Sequence, residues 1–408
     1  MMQIGSLKMK IRFAVNRKNL MDSLILIPFL YPRGFVEYSY FYKLFFTLWL
    51  YIAVLCIAIF VLDKIIRARI SFNKFFGAIL LYYVAMFVIT LLVRRTFLDG
   101  LQKIFAAPML AIFTYIELKT RPINFIKSVN RILTWSFIVG LTVFNPIFWT
   151  NMFNPEKNHL FFWGHVQVGA QLGLMFIIFS YVEYLLLPKY GEKKLFFRMA
   201  LAVCVMLISA TSLSYLVIII LLVYTLLYER IQLKEKEEKI VTLYLTCNLL
   251  LFFSITKLGP VLNIGNLSLN GRGFIWEKAL ENFLRSPLVG YGVHGTLIQV
   301  FWSRWSGDGT GMNYMHNQLL QVANDGGLLL LTLYIIILYT EMESIDKISS
   351  KKVRKKCGGF MLAVLVIMSF ESGLEYIYLL MVLILLGKMK NLTVRKKSCY
   401  VRNVIENT

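Results

Sequence analysis

About a dozen apolar runs, separated by short connectors rich in lysine and arginine, restrict this chain to a bundle of membrane-spanning helices. Inside lipid every backbone N–H and C=O must find its partner within the protein, and an uninterrupted apolar run does so only as a helix. The runs lie at 20–32, 40–62, 75–93, 104–116, 132–149, 165–187, 199–210, 213–228, 240–256, 319–340, 358–371 and 376–387. The predicted fold is therefore all-α: a polytopic bundle of about twelve spans, forming one integral membrane domain over residues 1–408. A range of roughly 10 to 13 spans is compatible with the runs, since 199–210 and 376–387 fall short of the ~20 residues that cross a bilayer core. With 58% hydrophobic residues, 15% aromatic residues and a mean hydropathy of +0.65, the composition excludes an ordinary soluble domain.

The charges orient the bundle. If the N-terminus lies in the cytoplasm, connectors on that side hold 33 of the 44 lysines and arginines, and 11 lie outside. Five of the outer ones, Lys257, Arg272, Lys278, Arg285 and Arg304, belong to a single long loop. Both termini are then cytoplasmic, with a basic tail at 388–408 and the loop at 257–318 facing out. The net charge of +22 follows from this bias and calls for no nucleic-acid partner. The segment around residues 20–31 lacks a small-residue cleavage site, so no removable signal peptide is expected. Cys56, Cys204, Cys247, Cys357 and Cys399 all lie outside the long loop, which argues against a disulfide or a thiolate metal site there. The charge run 234–239 reads as a solvated helix end.

Function concentrates in the outer loop, where arginine, histidine, tryptophan and glycine collect between two spans. Phe274, Ile275, Ala279, Leu280, Phe283 and Leu284 recur at helical spacing, with Glu277, Lys278, Glu281 and Arg285 on the other side. This predicts a short amphipathic helix lying on the outer surface and stopped by Ser286-Pro287. Arg272 sits at its start, where free backbone N–H groups, the helix dipole and a guanidinium fork all favour phosphate. An arginine snorkelling toward lipid headgroups is the structural alternative. Arg285 lies 13 residues on, about 20 Å along the helix, too far to share one diphosphate with Arg272.

Further along, Gly290-Tyr291-Gly292-Val293-His294-Gly295 lets the backbone approach a ligand closely. Phe301-Trp302-Ser303-Arg304-Trp305 reads equally as a sugar-stacking platform and as an interface anchor. His316-Asn317 opens the next span and is followed by Asn324-Asp325-Gly326-Gly327. A histidine at this membrane edge is suited to take a proton from a hydroxyl near neutral pH. No Asp-x-Asp-like pair occurs in the loop, and neither a metal nor another cofactor is expected. Glu371 and Glu375, in the outer turn between the last two spans, form a second candidate for the base.

The series Gly271-Arg272, Trp276, Ala279, Pro287, Gly290-Tyr291-Gly292, His316-Asn317 and Asn324-Asp325-Gly326-Gly327 resembles the O-antigen ligase and O-antigen polymerase superfamily, which includes capsular repeat-unit polymerases. The likeness covers about 60 residues. Trp163-Gly164-His165 resembles that family's Gly-x-x-His-x-Asn element, with Gln167 in place of the asparagine. Ala210-Thr211-Ser212-Leu213-Ser214 resembles its Ser-Arg-Ser turn without the arginine. Arg304, or Arg94 and Arg95, could supply the missing cation.

The resemblance implies a metal-independent, inverting glycosyl transfer at the outer face of a bacterial cytoplasmic (inner) membrane. Its donor would be a glycan on undecaprenyl pyrophosphate and its acceptor a sugar hydroxyl of a second lipid-linked glycan, with a chain-length regulator and a flippase as membrane partners. Arg272 and His316 would be catalytic. Arg285, Arg304, Tyr291, Asn317, His165, Trp276 and Glu371 would contact substrate. The short loop favours a polymerase. A ligase acting on a lipid A-core acceptor and a lipid-linked oligosaccharide flippase or transporter are the alternatives, the latter disfavoured because the spans, Glu183 aside, read as nearly free of charge.

Overall fold

The computed structural model describes residues 17–37, 39–67, 71–93, 101–144, 160–187, 191–228, 239–258, 272–296, 298, 313–375 and 377–405. Among these residues lie thirteen α-helices. They are α1 (Arg17–Leu30), α2 (Tyr40–Ile66), α3 (Lys74–Val93), α4 (Leu101–Thr120), α5 (Pro122–Thr142), α6 (Val166–Leu186) and α7 (Glu192–Ile208), then α8 (Ser212–Tyr228), α9 (Lys239–Leu258), α10 (Arg272–Arg285), α11 (Gln318–Asp346), α12 (Lys351–Phe370) and α13 (Ile377–Ile405). All but α10 overlap the apolar runs, and the chain is a helical bundle as its sequence predicts. Five helices are long and apolar enough to cross a membrane by length and composition: α2, α3, α6, α11 and the Ile377–Val394 part of α13. The others on the runs are shorter or carry charged residues.

The helix ends depart from the hydropathy pattern. Helix α5 starts at Pro122, well before the run at 132–149, and takes in Lys127 and Arg131; proline at the first turn costs no backbone bond there. Helices α7 and α12 likewise begin in charged sequence at Glu192 and Lys351. Helix α13 continues through the basic segment to Ile405, so most of the stretch read as a tail extends the last helix. Hydropathy marks where lipid or protein surrounds a helix, whereas lysine, arginine and glutamate are themselves good helix formers. Lys388 illustrates this. It is buried, and its ammonium sits 3.4 Å from the centre of the Tyr115 ring on α4.

Within the runs read as nearly free of charge, Asp22 and Asp325 are buried besides Glu183, and Glu117 and Glu341 are buried one residue past theirs. Glu183 accepts from Arg198 at 2.6 Å, Lys194 at 2.9 Å and Asn130 at 2.7 Å, tying α5, α6 and α7 together. Arg121 reaches both Asp22 and Glu117, at 3.0 and 2.8 Å. Sequence spacing does not pair residues 99 positions apart; packing does.

Helix α6 and the first half of α13 are buried almost throughout and form the centre of the bundle. Gly169 and Gly173 let α7 pack closely on α6, because a Cβ at either would overlap Ser209 or Met206. Helices α2, α3, α8 and α9 line the periphery, where Leu55, Ile59, Leu81, Leu222 and Leu249 are exposed as lipid would require. Connections gather at opposite ends. At one end a two-stranded hairpin, β1 (Leu160–Phe161) and β2 (Gly164–His165), carries Phe162, whose carbonyl accepts from Gly34 N at 3.0 Å. There too Val293 N donates to Thr90 Oγ1 at the end of α3, at 3.1 Å.

Candidate functional site

Helix α10 forms as its spacing predicts and lies on the bundle rather than across it. Ile275, Trp276 and Ala279 are buried against a small second core of Ile298, Met315 and Leu320, with Phe252 and Phe370 packed beside it. The Trp276 indole donates to Met315 O at 2.9 Å. Lys278 and Glu281 pair on the opposite face. This seating brings the first residue of α10, Arg272, over the end of α12.

The glycine motifs dock onto each other. Helix α11 breaks at Gly326 and Gly327, and Gly327 adopts φ +60°. The carbonyls left open at the break, Asn324 O and Asp325 O, accept from Tyr291 N and Gly292 N, each at 2.9 Å. In return Leu328 N donates to Pro287 O at 2.7 Å. Backbone meets backbone here: a Cβ at Gly290 (φ +61°) would overlap Asn324 O, and one at Gly327 would overlap Leu288. From the sequence Gly290 makes room for a ligand; in the fold it makes room for α11.

Two predicted residues, Arg272 and His316, and the unpredicted Tyr314 converge on one carboxylate. Glu371, the residue that ends α12, is wholly buried. Its Oε1 accepts from Arg272 at 2.6 Å. Its Oε2 accepts from Tyr314 Oη at 2.9 Å and lies 3.2 Å from His316 Nδ1. The Tyr314 ring stands edge-on to the imidazole, 4.6 Å between centres, and Tyr314 Oη accepts from Ser372 N at 3.1 Å. His316 itself has φ +49°, a backbone state uncommon outside glycine that collects at functional positions.

The chemistry follows from these contacts. A carboxylate facing Nδ1 favours the tautomer protonated there and leaves Nε2 as the basic nitrogen. Both Glu371 oxygens are engaged and none of its surface is exposed, so it is placed to orient His316 rather than to meet a substrate as a base. The Arg272 side chain keeps about 20% of its surface exposed and has five N–H donors, of which Glu371 takes one in this arrangement.

A cavity of about 450 Å³ adjoins this cluster at the same end of the bundle. Arg33, Lys43 and His165 line it from the early helices and the hairpin, and Gln318, Gln321 and Asp325 from α11. Gln321 joins cavity to cluster: its Oε1 accepts from Met315 N at 2.9 Å and from Ser372 Oγ at 3.1 Å. Gln318 accepts from Leu374 N at 2.7 Å. The cavity wall is thus one bonded residue away from Glu371.

The other predicted residues fall in different places. Asn317 is buried, caps α11 by accepting from Leu320 N, and donates to Asn248 Oδ1 and Ser369 O, each at 2.8 Å. Trp276 is wholly buried, and the Tyr291 hydroxyl donates to Asn282 O at 2.9 Å. The polar groups of these three are bonded into the site's framework. Arg285, at the far end of α10, is exposed and away from the cluster. Arg304 lies outside the described residues, as do Arg94 and Arg95. Sequence reasoning missed Tyr314, Gln321 and Ser372. It also missed Arg33 and Lys43, for which no local motif exists. Tyr314 alone had a signal, two residues before His316.

Residues 195–335, roughly a third of the chain, match the family model described as O-Antigen ligase. The match ends before Glu371 and begins after Arg33 and His165. No curated protein matches the chain.

Proposed function

The chain carries an O-antigen ligase family domain at residues 195–335, which puts it in the O-antigen ligase and polymerase superfamily, and on that premise we propose that it polymerises lipid-linked oligosaccharide repeat units. The donor is a glycan on undecaprenyl pyrophosphate, and the acceptor is a sugar hydroxyl of another lipid-linked repeat. The reaction takes place at the outer face of the cytoplasmic membrane. One observation carries this reading: Glu371 holds Arg272 and His316 together, and its neighbour Ser372 is bonded to Gln321 on the wall of a cavity.

His316 Nε2 takes the proton of the acceptor hydroxyl as its oxygen bonds to the anomeric carbon, and the bond from that carbon to the phosphate oxygen breaks. Undecaprenyl pyrophosphate departs with the electron pair. Arginine stabilises the charge it carries. Because Glu371 offsets part of the charge of Arg272, Arg33 and Lys43 across the cavity supply further positive field for the diphosphate. They take the part that the missing arginine near Thr211 leaves open. Gln318 and Asp325, which line the cavity, offer hydrogen bonds to sugar hydroxyls.

The test is reconstitution. Purified protein in lipid nanodiscs, given only undecaprenyl-pyrophosphate-linked repeat units, is expected to make longer lipid-linked chains and release undecaprenyl pyrophosphate. Transfer only when a lipid A-core acceptor is added would make it a ligase, and no transfer with either acceptor would overturn the assignment.

A further inference from the structure

A second cavity, about 570 Å³, opens at the opposite end of the bundle between α6, α7, α8 and α12. Along α12 its lysine rim at Lys351 lies about 30 Å from Glu371 and its innermost residue Phe360 about 16 Å, at 1.5 Å per residue. Lys351, Lys352, Lys355 and Lys356 line its rim. Tyr181, Leu221, Tyr224 and Phe360 line its interior. Lys352, Lys355, Lys356, Gly359 and Phe360 follow one another at helical spacing, so a single stripe of α12 runs from cationic to apolar. The Lys356 ammonium stands 5.9 Å from the centre of the Tyr181 ring, at the boundary between the two.

The charge arrangement runs against ordinary helix electrostatics. A helix N-terminus carries partial positive charge and favours acids in its first turn. Here α12 has no acid in that turn, and residues 348–356 hold Arg354 and the four rim lysines with no acidic residue among them, while Lys347 just before them pairs with Glu343. The helix start therefore gathers like charge beside a cavity that opens onto apolar side chains. An anion bound at the rim relieves that repulsion, and a chain of methylenes attached to it fills the interior. Both requirements are met by one ligand class.

We propose that this cavity binds an anionic phospholipid, with its phosphate on the Lys351, Lys352, Lys355 and Lys356 rim and an acyl chain between Tyr181, Tyr224 and Phe360. The site does not depend on the glycosyl-transfer reading, since it shares no residue with the Glu371 cluster. It anchors α12 from the basic end while Glu371 terminates the other.

Native mass spectrometry of delipidated protein, with equal amounts of phosphatidylglycerol and phosphatidylcholine vesicles added, tests it. Wild-type protein is expected to retain phosphatidylglycerol with at least a tenfold preference, on the order expected for several lysines at an anionic headgroup. The quadruple variant K351Q/K352Q/K355Q/K356Q should lose the preference, and the quadruple arginine variant should keep it. Soluble glycerol phosphate, which has the headgroup charge and no acyl chain, should not displace the lipid. Equal retention of the two lipids by wild-type protein, an undiminished preference in the glutamine variant, or release by glycerol phosphate would each overturn the proposal. If the glutamine variant does not fold, the lipid preference of wild-type protein and the glycerol phosphate competition still decide it.

Discussion

His316 Nδ1 lies 3.2 Å from Glu371 Oε2, and the other oxygen of the same carboxylate takes the Arg272 guanidinium at 2.6 Å. One buried carboxylate thereby bears on both the tautomer of His316 and the position of the Arg272 guanidinium. Glu371→Gln keeps the shape and removes the charge, and its amide can present a donor to Nδ1. Transfer is expected to fall on the order of 10²–10⁴-fold, the range seen when the acid behind a catalytic histidine is lost or general-base catalysis is removed. Wild-type polymer length from this variant, read on glycan gels at normal protein level, would remove Glu371 from the site.

His316→Ala should leave single lipid-linked repeats accumulating while donor binding stays largely intact, because Arg272 and the cavity cations are untouched. The expected loss is again about 10²–10⁴-fold in rate. His316→Gln separates two roles, since its amide forms hydrogen bonds and cannot accept a proton at neutral pH. Long polymer with glutamine and none with alanine would mean that His316 only orients substrate, and His165 on the cavity wall would be the next base to test.

Arg272→Lys retains a positive charge but loses the planar fork that can serve Glu371 and a phosphate together. Polymer should fall sharply at unchanged protein level. Full activity in Arg272→Ala would show that the diphosphate is held without it.

Gly290→Ala and Gly327→Ala should each destabilise the protein by about 1–3 kcal/mol, because both require φ near +60° and both face backbone across the docked segments. Thermal unfolding in detergent, followed by size-exclusion, measures the loss. Gly77→Ala on α3 is the control: its added Cβ meets nothing within 4 Å beyond its chain neighbours and its own helix backbone, and it should be neutral or mildly stabilising. Equal melting points for all three would show that the α11 break does not depend on those glycines.

Orientation is checked with single cysteines in a variant otherwise free of them. Glu277→Cys on α10 and Ser349→Cys before α12 are both exposed positions at opposite ends of the bundle. An impermeant maleimide should label position 277 in intact cells and position 349 only after permeabilisation. Labelling of 349 from outside would reverse the orientation and put the Glu371 cluster on the cytoplasmic side.

Most of the architecture was legible in the chain because its signals are local. An apolar run is a helix wherever lipid or protein surrounds it, which is why the helices overlap runs read from hydropathy alone. The period of Ile275 and Ala279 likewise marks the buried face of α10 without any partner in view, although Trp276 is also buried there and Leu284, which shares the period, is exposed. Arg272 and His316 were also legible, each from its place at a helix start.

What joins those two residues was not. Glu371 is 99 positions from Arg272 and 55 from His316, and only the packing of α10 and α11 against the end of α12 makes it their common partner. The same holds for Arg33 and Lys43, which reach the cavity because helices from opposite ends of the chain meet there. Asn317, Trp276 and Tyr291 belong to the motif just as His316 does, yet their polar groups are bonded into the framework. A motif records which residue types stand together along the chain. Whether a side chain faces substrate or scaffold is decided by what packs on its other side, and that depends on long-range contacts no local pattern contains.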